Sequence, residues 1–302
     1  MIIAREIADV RARVAEARAA GKRIGFVPTM GFLHEGHLSL IGLAREHGAS
    51  FIVVSIFVNP LQFGPAEDFE RYPRDEARDR RLLEERGVDL LFMPSVETMY
   101  PAGAVTRVIV GGVAEPLEGE RRPGHFDGVA TVVTKLFNVV RPDLAAFGQK
   151  DAQQCQVIRQ FVRDLDVPVE IVVGPTEREA DGLALSSRNA YLSRDERALA
   201  PRLHEALLAG RAALEGGATD APTVEAAMAR VLRAEARIEI DYLRVVDPTT
   251  FEAPVDLHRD LLAVGAIRLG RTRLIDNLPL PFAPSPAASG TPAALPEHER
   301  TR

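Results

Sequence analysis

The sequence predicts an α/β fold, because short apolar runs alternate with stretches long enough for helices over the first 175 residues. Strands of a parallel sheet are buried on both faces and read as continuous apolar runs, and each crossover between them needs about a dozen residues or more. We therefore expect a doubly wound parallel sheet with helices on both faces over residues 1–175. Shorter connections after it predict a smaller α+β domain with an antiparallel sheet over residues 176–280.

The elements follow from the apolar pattern in chain order. Residues 3–20 are predicted as an amphipathic helix, since apolar residues recur at steps of three and four and Gly21 follows as a stop signal. Strands of the parallel sheet are predicted at 24–27, 51–57, 88–93, 106–110, 144–147 and 169–173, and a further helix at about 129–139. In the smaller domain, helices are predicted at 194–215 and 223–236 and strands at 239–246, 261–267 and 271–275. Residues 281–302, with five prolines and five alanines, are predicted to be a disordered tail.

The composition excludes some classes of protein and partner. With 37 basic and 43 acidic residues the net charge is −6, so no general basic field exists to hold nucleic acid or an anionic membrane. The single cysteine, Cys155, cannot form an internal disulfide, which favours a reducing compartment such as the cytoplasm. The longest mostly apolar run, residues 51–58, is far shorter than the roughly 20 residues of a membrane span. Arg5 and Glu6 interrupt any signal-peptide core, so neither export nor insertion is expected.

The first candidate site is the segment 28–40, directly after the first long predicted strand. Gly31 and Gly36 allow tight turns before a helical pattern begins, and a helix N-terminus at the end of a parallel strand attracts phosphate. His34 and His37 add hydrogen-bond donors that can become cationic. Two alternatives remain open for this pair: a zinc site, although no third ligand is evident, and a solvent-facing loop. Neither of the two common Gly-rich phosphate loops is present.

Four further segments carry polar side chains at strand ends or in loops. In 55–63, Gln62 can hold a polar substrate, while Asn59 is predicted either to take part or simply to cap the turn. Segment 121–129, with two arginines and a histidine, is either an anion-facing loop or a solvated charge cluster. Segment 147–154 offers Lys150 as a mobile cation, with Asp151 as a candidate helix cap and Gln154 one turn later. Segment 181–189 joins two serines to Arg188, which suits phosphate binding, or else a helix cap.

Taken together and in this order, the five segments resemble the pantothenate synthetase (pantoate–β-alanine ligase) family of adenylate-forming nucleotidyltransferases, with His34-Glu35-Gly36-His37 as the His-x-Gly-His motif. The resemblance implies a Rossmann-like first domain, a smaller C-terminal domain that acts as a lid, a homodimer, and Mg²⁺ bound with ATP. It also implies ATP-dependent condensation of pantoate with β-alanine through a pantoyl adenylate, with release of AMP and pyrophosphate. No residue of the chain is assigned to a metal.

The resemblance also assigns roles to individual residues. His37 would be the proton-donating catalytic residue, assisted by His34, Lys150 and Arg188. Gln62 and Gln154 would bind pantoate, and Gln62 would also lie near β-alanine. The residues implied to bind ATP are Met30, Gly31, Phe32, Leu33, His34, Glu35, Gly36, His37, Gly148, Gln149, Lys150, Asp151, Glu177, Leu185, Ser186, Ser187 and Arg188.

Other functions remain to be weighed against this one. The nearest alternative is another His-x-Gly-His nucleotidylyltransferase that stops at an adenylated product. A nucleotide sensor without catalysis and a zinc hydrolase are more distant alternatives. A tRNA synthetase is disfavoured by the length of 302 residues and by the absence of a basic domain from the sequence.

Overall fold

The computed structural model describes residues 1–65 and 67–282, which form two sheets with helices around them. The larger sheet has six parallel strands in the order β1-β4-β3-β2-β5-β6. These strands are β1 Ile2–Ala4, β2 Ile24–Thr29, β3 Phe51–Ile56, β4 Leu90–Phe92, β5 Leu144–Gly148 and β6 Glu170–Gly174. The smaller sheet is antiparallel and consists of β7 Ile238–Val246, β8 Leu261–Leu269 and β9 Thr272–Leu280. The predicted α/β class and both sheet types are confirmed.

Helices cover both faces of the parallel sheet. The helices are α1 Ile7–Ala19, α2 Glu35–Glu46, α3 Glu76–Glu85, α4 Val96–Met99, α5 Glu118–Arg121, α6 His125–Val140, α7 Ala152–Asp164, α8 Arg194–Leu199, α9 Arg202–Glu215 and α10 Ala221–Arg233. Neighbouring strand residues point to opposite faces. Val53 packs in the core formed with α1, α6 and α7, whereas Val54 packs in the core formed with α2 and α3. Burial on both faces explains why these strands read as continuous apolar runs.

Several predicted elements are wrong or misplaced. The predicted helix 3–20 begins only at Ile7, and Ile2–Ala4 is an edge strand paired with β4. The predicted strand 106–110 does not form; the segment has no ladder partner among the described residues, and Val105 and Ile109 are 86% and 74% exposed. The predicted helix 194–215 is divided into α8 and α9 at Pro201, because a proline inside a helix removes a backbone donor and clashes with the preceding turn. Residues 283–302 of the predicted tail lie outside the described residues.

Among the described residues, none of the helices combines the length and the apolar content that crossing a bilayer requires.

A buried ionic cluster joins helix α5 to the smaller sheet. The Arg273 guanidinium on β9 donates to both Glu118 carboxylate oxygens, at 2.8 and 2.6 Å, and to Asp241 on β7 at 2.8 Å. The Tyr242 hydroxyl also donates to Glu118, at 2.8 Å. Glu118 is 5% exposed, and although burial opposes ionisation, the bonds from Arg273 hold the pKa of its carboxyl below the ordinary value. The carboxylate is therefore charged, and Arg273 of the smaller sheet balances its charge.

Removing one partner of this cluster should lower the stability of the folded protein. We expect Arg273→Met to lower the free energy of unfolding by about 3 kcal/mol, because it leaves the buried Glu118 carboxylate with fewer partners. The matched control is Arg202→Met, which breaks the exposed Arg202–Glu205 pair and should cost about 0.5 kcal/mol or less. Urea unfolding of both variants measures the difference. Equal losses would contradict the role given to the cluster.

Candidate functional site

A cavity of about 210 Å³ lies at the carboxyl ends of β2 and β5. Strand order reverses between these two strands, and open α/β sheets bind ligands at such a switch point. A wider space of about 520 Å³ between the two sheets shares part of this lining, so the two spaces form one crevice. The predicted site residues in the lining of the inner cavity are Met30, His34, Gly36, His37, Gln62, Gly148, Lys150, Asp151, Gln154, Glu177, Leu185, Ser186, Ser187 and Arg188.

Five other predicted residues lie outside that lining. The Leu33 side chain is in the core, and Glu35 pairs with Arg86 at the surface, with both oxygens 2.8 Å from Nη2. The remaining three are Gly31, Phe32 and Gln149. Gln149 bonds instead to Asn277 of β9, at 3.1 Å. None of these five residues lines the inner cavity.

The loop after β2 is held by a carboxylate that no sequence pattern singles out. Asp79 on α3 accepts from the backbone N–H groups of Phe32 at 2.7 Å and Leu33 at 2.8 Å. Gly31 has φ +82°, and a Cβ there would lie 2.9 Å from the Ile56 side chain. Glycine is therefore needed at the turn. Burial raises the pKa of Asp79 despite its backbone donors.

The two histidines stack at the N-terminus of α2. Their ring centres are 4.0 Å apart, and the His34 backbone N–H donates to His37 Nδ1 at 3.4 Å. Since Nδ1 accepts this bond, the neutral His37 ring carries its proton on Nε2. A Cβ on Gly36 would lie 3.1 Å from the His34 ring, so glycine gives this ring its space. His34 Nδ1 is buried and has no hydrogen-bond partner among residues 1–65 and 67–282.

Burial and nearby positive charge keep both rings neutral near pH 7. Burial lowers the pKa of His34 to about 4, and the Lys150 charge acts in the same direction. Burial, the His34 ring and Lys150 together hold the pKa of His37 well below its ordinary value. No cluster of three or more His, Cys, Asp or Glu residues suited to a metal occurs in the described part of the chain. The zinc alternative therefore gains no third ligand from these residues.

Lys150 sits at the end of β5 in a turn that the smaller sheet holds in place. Its Nζ atom lies 3.6 Å from an Asp151 carboxylate oxygen. The Asn277 amide on β9 donates to the carbonyls of Gln149 and Lys150, at 2.9 Å each. Asp151 makes no capping bond to α7, so the capping alternative is not what its side chain does here. The turn thus presents an ammonium group and a carboxylate to the cavity.

The loop with two serines is tied to the first segment. Ser187 Oγ donates to the Phe32 carbonyl at 3.2 Å, across 155 residues of sequence. Arg188 donates to both oxygens of Asp68, at 3.1 and 3.0 Å, and its guanidinium lies 5.9 Å from the centre of the Tyr72 ring. Ser186 Oγ accepts from the Arg188 backbone N–H at 3.2 Å, as a cap would. Both cap and phosphate-facing roles are therefore compatible with this loop.

Gln62 is held by partners on both sides. Asn59 caps the turn, which is one of its two predicted roles, since its Oδ1 accepts from the Leu61 N–H at 3.3 Å; its Nδ2 donates to Gln62 Oε1 at 3.0 Å. His125 Nδ1 donates to the Gln62 carbonyl at 2.9 Å. Arg122 donates to His125 Nε2 at 3.0 Å and is paired with Glu67, so segment 121–129 is not a solvated charge cluster at Arg122. Burial lowers the pKa of His125 to about 4.

The sequence reasoning missed an apolar wall of the cavity. Its members come from the strand end after β3 and from α6, and they are Phe57, Val129, Val132, Val133 and Leu136. The available signal was that α6 is apolar on nearly all sides, which is more than core packing on one face requires. The cavity therefore joins cationic and amide groups on one side to an aliphatic surface on the other.

Comparison with known proteins assigns the family. Residues 2–279 match the family model described as Pantoate-beta-alanine ligase. A protein of Herpetosiphon aurantiacus named pantothenate synthetase is 56% identical over 270 residues, which cover 88% of this chain and 97% of that protein. Neither match supports the alternative of an enzyme that stops at an adenylated product.

Solved structures agree with this assignment. The pantothenate synthetase of Thermus thermophilus superimposes with a TM-score of 0.88 at 50% identity, covering 92% of this chain and 99% of that one. The pantoate-beta-alanine ligase of Francisella tularensis, complexed with beta-gamma ATP and beta-alanine, gives a TM-score of 0.76 at 34% identity, covering 92% and 97%. With nearly the whole length matched by sequence and by fold, this chain belongs to the pantoate-beta-alanine ligase family.

Proposed function

We propose that this chain is an ATP-dependent ligase that condenses pantoate with β-alanine to pantothenate and releases AMP and pyrophosphate. The observation that carries the proposal is the cavity at the sheet's switch point, whose lining contains His34, His37 and Lys150 together with Gln62 and Gln154. Cations and imidazoles suit a triphosphate, whereas neutral amides suit a hydroxylated acid. The Francisella tularensis ligase, held with beta-gamma ATP and beta-alanine, supports ATP and β-alanine as substrates.

The triphosphate would lie over the N-terminus of α2, between Lys150 and the loop 185–188. The helix dipole and free N–H groups favour anions there. The N–H groups of Phe32 and Leu33 are already bonded to Asp79, so these residues would shape the loop rather than bind phosphate. Met30, Gly148, Asp151 and Glu177 would line the nucleotide along the ends of β2, β5 and β6.

In the first step the pantoate carboxylate attacks the α-phosphorus of ATP and pyrophosphate leaves. In the second the β-alanine amine attacks the acyl carbon of the pantoyl adenylate, the bond from that carbon to the AMP oxygen breaks, and the nitrogen releases a proton to solvent. The protein forms no covalent bond in either step, so its contribution is alignment and stabilisation of charge. Gln62 and Gln154 would orient pantoate, and the aliphatic wall of α6 would contact its branched carbon. His37 would donate from Nε2 to the departing phosphates, with His34 beside it.

Mg²⁺ is proposed to enter with ATP, where it would neutralise phosphate charge. The described residues offer no ligand cluster of their own, so phosphate oxygens would supply most of the ligands. Residues 1–175 would form the Rossmann-like domain that binds ATP and pantoate, and residues 176–280 the lid. A cytoplasmic location and the absence of a nucleic-acid partner remain proposals that rest on composition.

A homodimer is proposed, and it is supported by residues 106–110, which were predicted as a strand but form none in the described structure. This segment lacks a ladder partner among the described residues, while Val105 and Ile109 are exposed. Exposed apolar side chains beside unpaired backbone groups favour pairing with another chain. A second copy of this segment is the proposed partner.

Omission of each substrate in turn tests the proposed function. AMP should form only when ATP, pantoate and β-alanine are all present, because AMP leaves only when the β-alanine amine attacks the pantoyl adenylate. Pantoate alone should support exchange of labelled pyrophosphate into ATP. AMP formation that is independent of β-alanine, or no AMP under any condition, would contradict the proposal.

Substitutions test the two proposed catalytic groups. We expect His37→Ala and Lys150→Ala each to lower kcat by about 10²-fold to 10³-fold, the usual cost of one preorganised charge-stabilising donor. His47→Ala and His258→Ala are matched controls at exposed positions away from the cavity and should leave kcat unchanged. Steady-state rates with all substrates saturating give the comparison. Near-normal turnover in either of the first two variants would overturn the assignment.

The buried histidines also predict a pH dependence of stability. The pKa of His34 is about 4 in the folded protein against an ordinary value of 6.5, so between these values the unfolded chain binds more protons. The contribution of neutral His34 to the free energy of unfolding is therefore fully present above pH 6.5, and it is lost as the pH falls toward 4. His34→Gln should lose less stability than the wild type between about pH 7 and about pH 4.5. Urea unfolding at both pH values checks this, and equal losses would contradict it.

A further inference from the structure

Tyr100 lies beside the cavity without lining it, yet its hydroxyl reaches the amide network of the site. Tyr100 follows α4, and its Oη donates to Asn59 Oδ1 at 2.8 Å. We propose that Tyr100 is a positioning residue that acts through Asn59 to fix the orientation of the Gln62 amide, so that Gln62 presents N–H donors to pantoate. This inference rests on the proposed function. It assigns a role to a residue that does not line the cavity.

Three groups hold the Asn59 amide in one orientation: the Gly128 carbonyl, the Leu61 N–H and the Tyr100 hydroxyl. Its Nδ2 donates to the Gly128 carbonyl at 3.1 Å, and its Oδ1 accepts from the Leu61 N–H at 3.3 Å. A carbonyl only accepts and a backbone N–H only donates, so a flipped amide would oppose both. The Tyr100 hydroxyl supplies the shorter of the two bonds to Oδ1. Asn59 is 1% exposed, so this oxygen has little access to replacement water.

The hydrogen bond from Asn59 sets the orientation of the Gln62 amide. Because Asn59 Nδ2 donates to Gln62 Oε1, the oxygen of Gln62 is engaged and its Nε2 points the other way. Nε2 lies 3.3 Å from Met30 Sδ, a weak acceptor that a carboxylate or hydroxyl oxygen would readily outcompete. Gln62 therefore offers donors, and the ligand it selects must supply acceptor oxygens.

Tyr100 is itself held from two sides. Its ring centre is 6.0 Å from that of Phe57, which follows β3, and Lys135 Nζ on α6 lies 5.8 Å from the same ring centre. Burial raises the pKa of the Tyr100 hydroxyl, so the group remains a donor throughout the physiological range. A Cβ at Gly128 would lie 2.3 Å from the Leu61 carbonyl oxygen, so α6 packs directly on the turn that carries Gln62. The hydroxyl is thus fixed in space relative to that turn.

Tyr100→Phe tests the proposal, because it removes only the hydroxyl. We expect kcat/KM for pantoate to fall about tenfold, the scale of one lost buried hydrogen bond, while KM for ATP is unchanged. Lys135→Met is the matched control: it removes the cation over the same ring, leaves the hydroxyl bond intact, and should leave both constants unchanged. If Tyr100→Phe impaired ATP binding as much as pantoate binding, with KM for both substrates raised equally, its role would be structural and the proposal would be overturned.

A double-mutant cycle with Gln62→Met locates the effect. If Tyr100 acts through Gln62, Tyr100→Phe should have no further effect on kcat/KM for pantoate once the Gln62 amide is absent. A full additional tenfold loss in that background would overturn the proposal. Wild-type enzyme that makes no AMP with pantoate and β-alanine would instead refute the proposed function. Wild-type activity with an unaffected Tyr100→Phe variant would refute the positioning role alone.

Discussion

The reversal of strand order between β2 and β5 is the constraint on which the site depends. The chain runs outward from β2 through β3 to β4 and then returns to β5 on the other side, so the loops after β2 and β5 diverge and leave a crevice. This places residues after β2, β3 and β5 at one edge although they are distant in sequence. The loop 185–188 does not directly follow a strand of the described sheets, and it is held by the Leu185 N–H on the Glu177 carbonyl and by the bonds from Ser187 to Phe32 and from Arg188 to Asp68.

The same crevice concentrates positive charge, and most of it is balanced by specific carboxylates. Arg122 is paired with Glu67, and Arg273 is paired with Glu118. Lys150 contacts Asp151 more loosely, at 3.6 Å. A flexible ammonium group held this loosely can turn toward an incoming phosphate at little cost. The balanced arginines thus shape the crevice, while the lysine and the two neutral imidazoles are left to respond to the ligand's charge.

The sequence predicted the parallel sheet and the segments around the cavity because buried strands leave a local apolar pattern. It did not predict contacts between residues that are distant in the chain. Buried parallel strands must be apolar throughout, so 24–27 and 144–147 were readable, and polar residues directly after them marked the cavity. The same apolar signal at 106–110 shows a tendency to be buried but not the partner, and no strand formed there. Asp79 and Tyr100 act across 46 and 41 residues of chain, and no local spacing distinguishes them from an ordinary helix carboxylate or core ring.

Recognition of the acid by amides has a chemical consequence for the proposed reaction. A carboxylate that must attack phosphorus loses nucleophilicity when an arginine or lysine neutralises it, because charge pairing stabilises the anion. N–H groups of a neutral glutamine orient the substrate with less stabilisation, since hydrogen bonds between neutral and charged groups are weaker than paired charges. Arg122, which lies beside Gln62, donates to the backbone carbonyl of that residue and is paired with Glu67. In the proposed reaction the cavity would thus keep its cations for the phosphates and leave the attacking oxygen reactive.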